Sequence, residues 1–355
     1  MRPSLMALVL LAAACHSPSG DTPADAPRSG DAARALDAAP DAPADPLAAI
    51  YGEVDGSNVI QLVQQMSGAV PVTAGSDTFS ITERFSDAGR AQFREFWTAY
   101  MTNLGLTVTP LHFDATAQDR ELDDLEAVLP GPTPDSIIVI VHYDSIGPPG
   151  EETTNPGADD DMSGMAIELE TARLFVEHAS QLGYTVRFVA ADAEELGDLA
   201  GARAYAAKIK ADSQAAGFQL VAAVDDEQSG WACHDDNDCA DAVWPAYDVY
   251  SCGTSNDGQR HYDFSALGDQ LEQITTTYSP MKVVRGCMGE NSDHFAMWEV
   301  GVPAVVYSEH DPLRNDHFDQ SGGDLFSRID TDYLVSIARP AITFQAALAG
   351  LHSGK

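Results

Sequence analysis

Ile137–His142 reads IIVIVH, five β-branched residues in succession and then an imidazole. A run this short and this apolar has the composition of a strand buried on both faces. Polarity returns at once in Tyr143-Asp144-Ser145, so His142 and Asp144 fall at the strand's C-terminal end. Working outward, Leu106–Phe113 and Asp124–Leu129 read as strands before it. Thr185–Ala191 (TVRFVAA), Leu220–Val224 (LVAAV) and Val302–Tyr307 read as strands after it. Ala48–Gln65, Phe85–Asn103, Met162–Leu182, Leu199–Asp212 and Tyr333–Leu351 carry helical apolar periods. This alternation predicts a single α/β domain with a mixed, mostly parallel central sheet flanked by helices. In such sheets ligands collect beyond the C-terminal strand ends. Gln228–Arg260, rich in Asn, Asp, Gly, Trp and Cys, reads as an insertion or long loop.

The chain has 355 residues, with 19 Lys+Arg against 55 Asp+Glu, a formal charge of −36. That balance argues against nucleic-acid binding, which needs a basic face, and against anionic membrane surfaces. It does not identify a function, since solubility, cation attraction and a salty medium all fit it.

The first residues, MRPSLMALVLLAAAC, place one Arg before the apolar run Leu5–Ala14. The run is about half the ~20 residues needed to span a bilayer and fits a secretory signal peptide. Its end resembles a bacterial lipoprotein signal, with Cys15 as the lipidated residue, although Ala12-Ala13-Ala14 also fits ordinary A-x-A cleavage. The expected organisation is a signal over 1–15, a disordered Ala/Pro/Asp-rich tether over 16–45, and the folded domain over 46–355. Export follows, to the outer membrane or cell surface through a lipid anchor at Cys15, or otherwise to the periplasm or medium. With Cys15 lipidated, four cysteines remain in an oxidising compartment. Cys233 and Cys239 are close enough to close a small loop, leaving Cys252 with Cys287. Three pairings are possible and this one is preferred. A structural zinc site competes, without the usual C-x₂-C spacing.

The residues with chemical potential are His142, Asp159-Asp160-Asp161, Glu194-Glu195, Asp225-Asp226, and His310 or His317. Taken singly, a strand-end His is more often structural, and one Asp of the triplet is expected to cap the helix at Met162. Together they supply imidazole and carboxylate at the strand ends, a donor set suited to Zn²⁺ with open positions. Two His and three carboxylates suffice for two ions if one carboxylate bridges.

The segments HYDS (His142–Ser145), PGADDDMSGMA (Pro156–Ala166), ADAEELGDLAGARAY (Ala191–Tyr205) and VDDE (Val224–Glu227) resemble the co-catalytic zinc aminopeptidases of the secreted bacterial leucyl-aminopeptidase type. SDH at Ser292–His294 and NDHFDQSGGD from Asn315 follow in the same order. Glutaminyl cyclases are relatives on the same fold. The resemblance covers roughly Arg84 to the C-terminus. It implies two Zn²⁺ per chain, with Asp160 bridging, Glu195 and His317 completing one centre, and His142 and Asp225 the other. It further implies Glu194 as general base and Asp144 as the partner that orients His142. His310 and Asp226 are the weaker alternatives to His317 and Asp225. The implied activity is hydrolysis of the N-terminal bond of peptides with a free amine. The resemblance assigns no oxyanion donor: Gly289 stands where some members have Tyr.

Rival readings are a single-zinc glutaminyl cyclase, a related carboxypeptidase using Arg203, Arg285 or Arg314 as a carboxylate clamp, and a non-catalytic surface binding protein on the same scaffold. A two-metal hydrolase acting on phosphate esters is a further rival. Side-chain preference and oligomeric state are not encoded legibly.

Overall fold

The computed structural model describes residues 45–115, 120–196, 199–232, 245–288, 291–312, 315 and 323–351. The signal, the tether, Cys233, Cys239, Gly289, Arg314 and His317 lie outside the described residues. The strands are β1 (Val72–Ala74), β2 (Asp77–Phe79), β3 (Thr107–Ala115), β4 (Arg120–Leu129), β5 (Ser136–His142), β6 (Thr185–Ala191), β7 (Leu220–Asp226), β8 (Ala246–Tyr250), β9 (Cys252–Thr254), β10 (His261–Asp263), β11 (Lys282–Gly286) and β12 (Ala304–Glu309). The helices are α1 (Pro46–Glu53), α2 (Gly56–Met66), α3 (Asp87–Asn103), α4 (Met162–Glu177), α5 (Ala200–Ala216), α6 (Ser265–Tyr278), α7 (His294–Glu299) and α8 (Thr331–Leu348). Among the described residues, no helix is long and apolar enough to cross a membrane.

Eight strands form one sheet in the order β11-β8-β12-β7-β5-β6-β4-β3. The centre, β12-β7-β5-β6, is parallel, while β3, β4 and the β8–β12 pair introduce antiparallel neighbours. This is the expected mixed α/β sheet. The continuous apolar reading of β5 has a direct cause: both of its faces are covered. Ile137, Val139 and Val141 pack with α2, α3, α4 and α8, whereas Ile138 and Ile140 pack with α5 and α7 on the other side. All five are 0% exposed. Burying each contributes roughly 1.5–3 kcal/mol relative to exposure, so neither face tolerates a polar residue.

Local signals set the element ends. Ser86, Asp161 and Asp330 accept hydrogen bonds from the first turns of α3, α4 and α8. Gly217, at φ +75°, ends α5 in the left-handed region that a side chain would disfavour. The helix expected over Ala48–Gln65 is two helices, because Asp55 turns out of α1 and caps α2 by accepting from Ser57 N at 2.9 Å. Nor is Gln228–Arg260 a loop throughout. Ala246–Tyr250 is β8, inserted between β11 and β12. Pro245 directly before it and Asp248 within it hid a strand whose burial comes from its neighbours in the sheet. Cys252 and Cys287 are joined, Cα atoms 4.6 Å apart, as preferred from the spacing.

Candidate metal centre and cleft

The chain crosses from β5 to β6 on one side and returns to β7 on the other, so loops diverge around the end of β5. There a cavity of about 190 Å³ is lined by His142, Asp160, Glu194, Glu195, Glu227 and Gln228, with Met288, Asn291, Ser292, Val306, Ser308 and Pro312 as its remaining wall.

His142, Asp160 and Glu227 converge, each placing a donor atom within 4.8 Å of the others. His142 Nε2 lies 2.9 Å from Asp160 Oδ1. That oxygen is buried, and no other group hydrogen-bonds to it. Two lone-pair-bearing atoms facing one point are what a cation requires, and one imidazole with carboxylates suits a divalent metal of the zinc type. The residues therefore fit a metal ion.

The rest of the centre is built to hold these donors. Asp144 accepts from Glu194 N at 3.0 Å and Glu195 N at 3.1 Å, and its Oδ1 stands 3.5 Å from His142 Nδ1. The last separation exceeds a good hydrogen bond, so Asp144 mainly ties the β6–α5 segment to the end of β5. Ala193, just before the two glutamates, sits at φ +65°, a strained conformation for a residue with a Cβ. Asp324 accepts from the backbone N–H groups of Asp159 and Asp160 at 2.7 and 2.9 Å, holding the bend that presents Asp160. The expected division of the Asp triplet is visible. Asp159 accepts from Gly230 N and Asn315 Nδ2, and Asp161 caps α4. Arg84, fully buried, donates to the carbonyls of Tyr143, Met66, Pro156 and Gly157. Gly157 is obligatory beside it: an added Cβ would come 2.3 Å from Asp160 O and 2.4 Å from Arg84 Nη2.

Electrostatics follow from burying so many carboxylates together. Glu194 is raised well above its ordinary value by burial and by Glu227, Asp160 and Asp144, with His142 opposing. Glu227 is pushed up to about 8 by burial and by Asp225 and Asp160. Burial works against protonating His142, but Asp144, Asp160 and Glu194 outweigh it and raise its pKa. Arg84 falls to about 10 because burial outweighs the surrounding carboxylates. The site carries a negative surplus that a bound cation would relieve.

A sequence profile decides the kinship: that of peptidase family M28 matches residues 124–344. The chain belongs to peptidase family M28. Leucine aminopeptidase 1 of Coccidioides posadasii is 27% identical over 231 residues, covering 63% of this chain and 55% of that protein. The chain thus spans about half the length of the curated relatives it matches. Among solved structures, a zinc aminopeptidase from Bacillus subtilis superposes with TM-score 0.64 at 13% identity, covering 83% of this chain and 95% of that one. The Porphyromonas gingivalis glutaminyl cyclase superposes with TM-score 0.60 at 17% identity, covering 83% and 98%. At these identities the likeness establishes the shared fold.

Within this M28 domain the expected residues are distributed unevenly. His142, Asp160, Glu194 and Glu195 do line one cavity. Asp225 is not among the three converging residues. Its Oδ2 accepts from His294 N (2.8 Å) and His294 Nδ1 (3.0 Å), and Ser292 Oγ, with one proton to give, lies against both this oxygen (2.8 Å) and Glu227 Oε1. Glu227 takes the place in the group. A strand alternates its faces, so residues 225 and 227 share one, and Glu227 projects further past the strand end. The VDDE stretch contained the signal, but residue order could not rank its acids. Asp226, on the opposite face, is held by Gln345 Nε2 at 2.8 and 2.9 Å inside the core. His310 Nδ1 is 2.6 Å from Asp248 and is not part of the group. Arg203 pairs with Glu299 and Arg285 with Asp269, and neither lines the cavity. The reading of the sequence also missed Arg84, Asp324 and Gln228, whose roles depend on contacts between distant segments.

Proposed function

We propose that the protein is a zinc-dependent aminopeptidase that removes the N-terminal residue from peptides with a free α-amine. The observation that carries this reading is the convergence of His142, Asp160 and Glu227 beside Glu194 and Glu195 in one cavity. His142, Asp160 and Glu227 would hold one ion. Asp160, Glu195 and His317 would hold a second. Bound zinc supplies Lewis-acid polarisation of the scissile carbonyl and lowers the pKa of water. Glu194, on the cavity wall with a raised pKa, is suited to take a proton from the attacking water on its carboxylate and pass it to the leaving amine. Asp144 fixes the backbone of Glu194 and Glu195. Among the described residues no Lys or Arg lines the cavity. The carboxylates that line the cavity suit a cationic substrate terminus, as an aminopeptidase requires. Met288, Val306 and Pro312 offer apolar wall for a side chain. The protein is further proposed to be exported, with Cys15 as a lipid anchor.

The test is zinc content of the purified full chain together with hydrolysis of free and N-acetylated Leu peptides. Two zincs and cleavage of the free amine alone are expected. One zinc with cyclisation of N-terminal Gln and no peptide cleavage would replace this reading with the cyclase.

A further inference from the structure

The cavity of about 190 Å³ is smaller than the ~300–1,000 Å³ of a site that encloses a drug-sized ligand, so a peptide chain beyond the scissile bond must lie outside it. An open cleft of about 580 Å³ adjoins it, and Met288 lines both. The ridge between the two is firmly held. Met288 N donates to Cys252 O at 2.9 Å, Cys287 is joined to Cys252, and a Cβ at Gly253 would collide with Met288 O. Most of the cleft is lined by the β9–β10 hairpin. Opposed residues of an antiparallel pair share a face and alternate residues return to it, so Cys252, Thr254, His261 and Asp263 project together. Thr254 Oγ1 and His261 Nδ1 meet there at 2.9 Å. Gly253 and Tyr262 take the other face, where Tyr262 stacks on Trp298 with ring centroids 5.6 Å apart. Asp263 accepts from Ser265 N at 3.0 Å and from Ser265 Oγ, and these bonds hold its exposed carboxyl below the usual carboxylate range. Among the described residues no Lys or Arg lines the cleft. Arg285, which donates to Ser265 O, is paired with Asp269.

We propose that this cleft receives the part of a peptide substrate that follows the scissile bond, and that Asp263 makes it selective for cationic side chains there. This rests on the aminopeptidase reading and adds a length and charge preference to it. A chain that leaves the first cavity across Met288 enters the cleft directly. Thr254 and His261 present hydrogen-bonding side chains to it, and Asp263 presents an anion. These contacts lie away from the reacting carbonyl and are made equally in the ground and transition states. Their effect therefore falls on KM and not on kcat.

The full-length protein, loaded with zinc, would be assayed on Leu-Ala, Leu-Ala-Lys-Lys-Lys and Leu-Ala-Glu-Glu-Glu. The readout is the KM of the Glu-tailed peptide divided by that of the Lys-tailed one. It is expected to exceed one in the wild type and to fall by up to about fivefold in Asp263→Asn, the worth of an exposed ion pair. Asp77→Asn removes the same charge from β2, whose residues do not line the cleft, and should keep the wild-type ratio. Thr254→Arg puts a cation on the face that carries Asp263 and should drive the ratio below one; it serves if Asp263→Asn folds poorly. Leu-Ala ends before the cleft and tests the aminopeptidase itself, so a wild type that fails to cleave it overturns the reading beneath this proposal. Cleavage of Leu-Ala with equal KM for the two tailed peptides would overturn the subsite alone. A ratio above one that neither Asp263→Asn nor Thr254→Arg moves would do the same. So would a ratio lowered alike by Asp263→Asn and Asp77→Asn, which would assign the preference to the net charge of −36.

Discussion

The choice between Glu227 and Asp225 as a metal donor is the sharpest consequence of the geometry. Glu227→Gln and Asp225→Asn are both isosteric and both remove one charge. Glu227 places an oxygen in the converging group, so its substitution weakens a direct ligand. Zinc binding by small protein sites is worth about 10–16 kcal/mol, which shared over four donors is about 2.5–4 kcal/mol each. At 1.4 kcal/mol per decade, losing one donor costs on the order of 10²–10³-fold in affinity. Asp225 Oδ2 already accepts from His294 N and Nδ1, and the single hydroxyl proton of Ser292 lies between it and Glu227 Oε1. Asp225→Asn therefore acts through the support of the ligand, where about 10–100-fold is expected. Free zinc at half-loading of the tighter step, measured in buffered zinc with a thermal melt to confirm folding, separates the two. Asp225 Oδ1 is buried and makes no hydrogen bond. If that oxygen is the true donor, Asp225→Asn will lose more zinc affinity than Glu227→Gln, and the assignment of Glu227 is refuted.

Further outcomes are expected. Glu194→Ala should retain bound zinc and lower kcat by about 10²–10⁴-fold, the range of a general base; zinc lost from this variant would make Glu194 a ligand instead. Glu168, buried on α4 and accepting from Trp97 Nε1 at 3.1 Å, is raised well above 4.5 by burial and by Asp226. The folded state therefore keeps a proton that the unfolded chain releases above about 4.5, so Glu168 costs stability as pH rises through that window. In chemical denaturation, Glu168→Gln should match the wild type near pH 4 and exceed it at pH 8; parallel curves would show that Glu168 is ionised in the fold. Reducing Cys252–Cys287, 35 residues apart in sequence, should lower unfolding free energy by about 4 kcal/mol on the chain-entropy account; an unchanged denaturation midpoint would count against that constraint.

Much of the fold was legible because its signals are local. β6 has the bounds read from TVRFVAA, and β5 needed only its β-branched run. β8 was not legible. Ala246–Tyr250 is a short stretch between Pro245 and Ser251 with Asp248 inside it, and it becomes a strand by pairing with Lys282–Gly286 and Ala304–Glu309. Position along the chain indicated His142, the triplet Asp159-Asp160-Asp161, Glu194 and Glu195, since strand ends and helix starts in an α/β fold face one another, and the family resemblance picked Asp160 from the triplet. The adjacent acids 225–227 were another matter, because their ranking depends on what each meets beyond the strand. Asp225 meets His294, Asp226 meets Gln345, and Glu227 meets the converging donors.

The sequence by itself determined the alternation of strands and helices, the doubly covered central strand, and the acids and imidazole brought to its end. Each of these depends on periodicity, residue volume or helix capping within a few neighbours. Only the tertiary structure decided which acid joins His142, that Asp144 ties the glutamates to the end of β5, and that Gln228 holds the second oxygen of Asp160. Those contacts join residues about 50 to 85 positions apart. Their geometry is set when the sheet and its helices pack, and no local pattern in the chain specifies it.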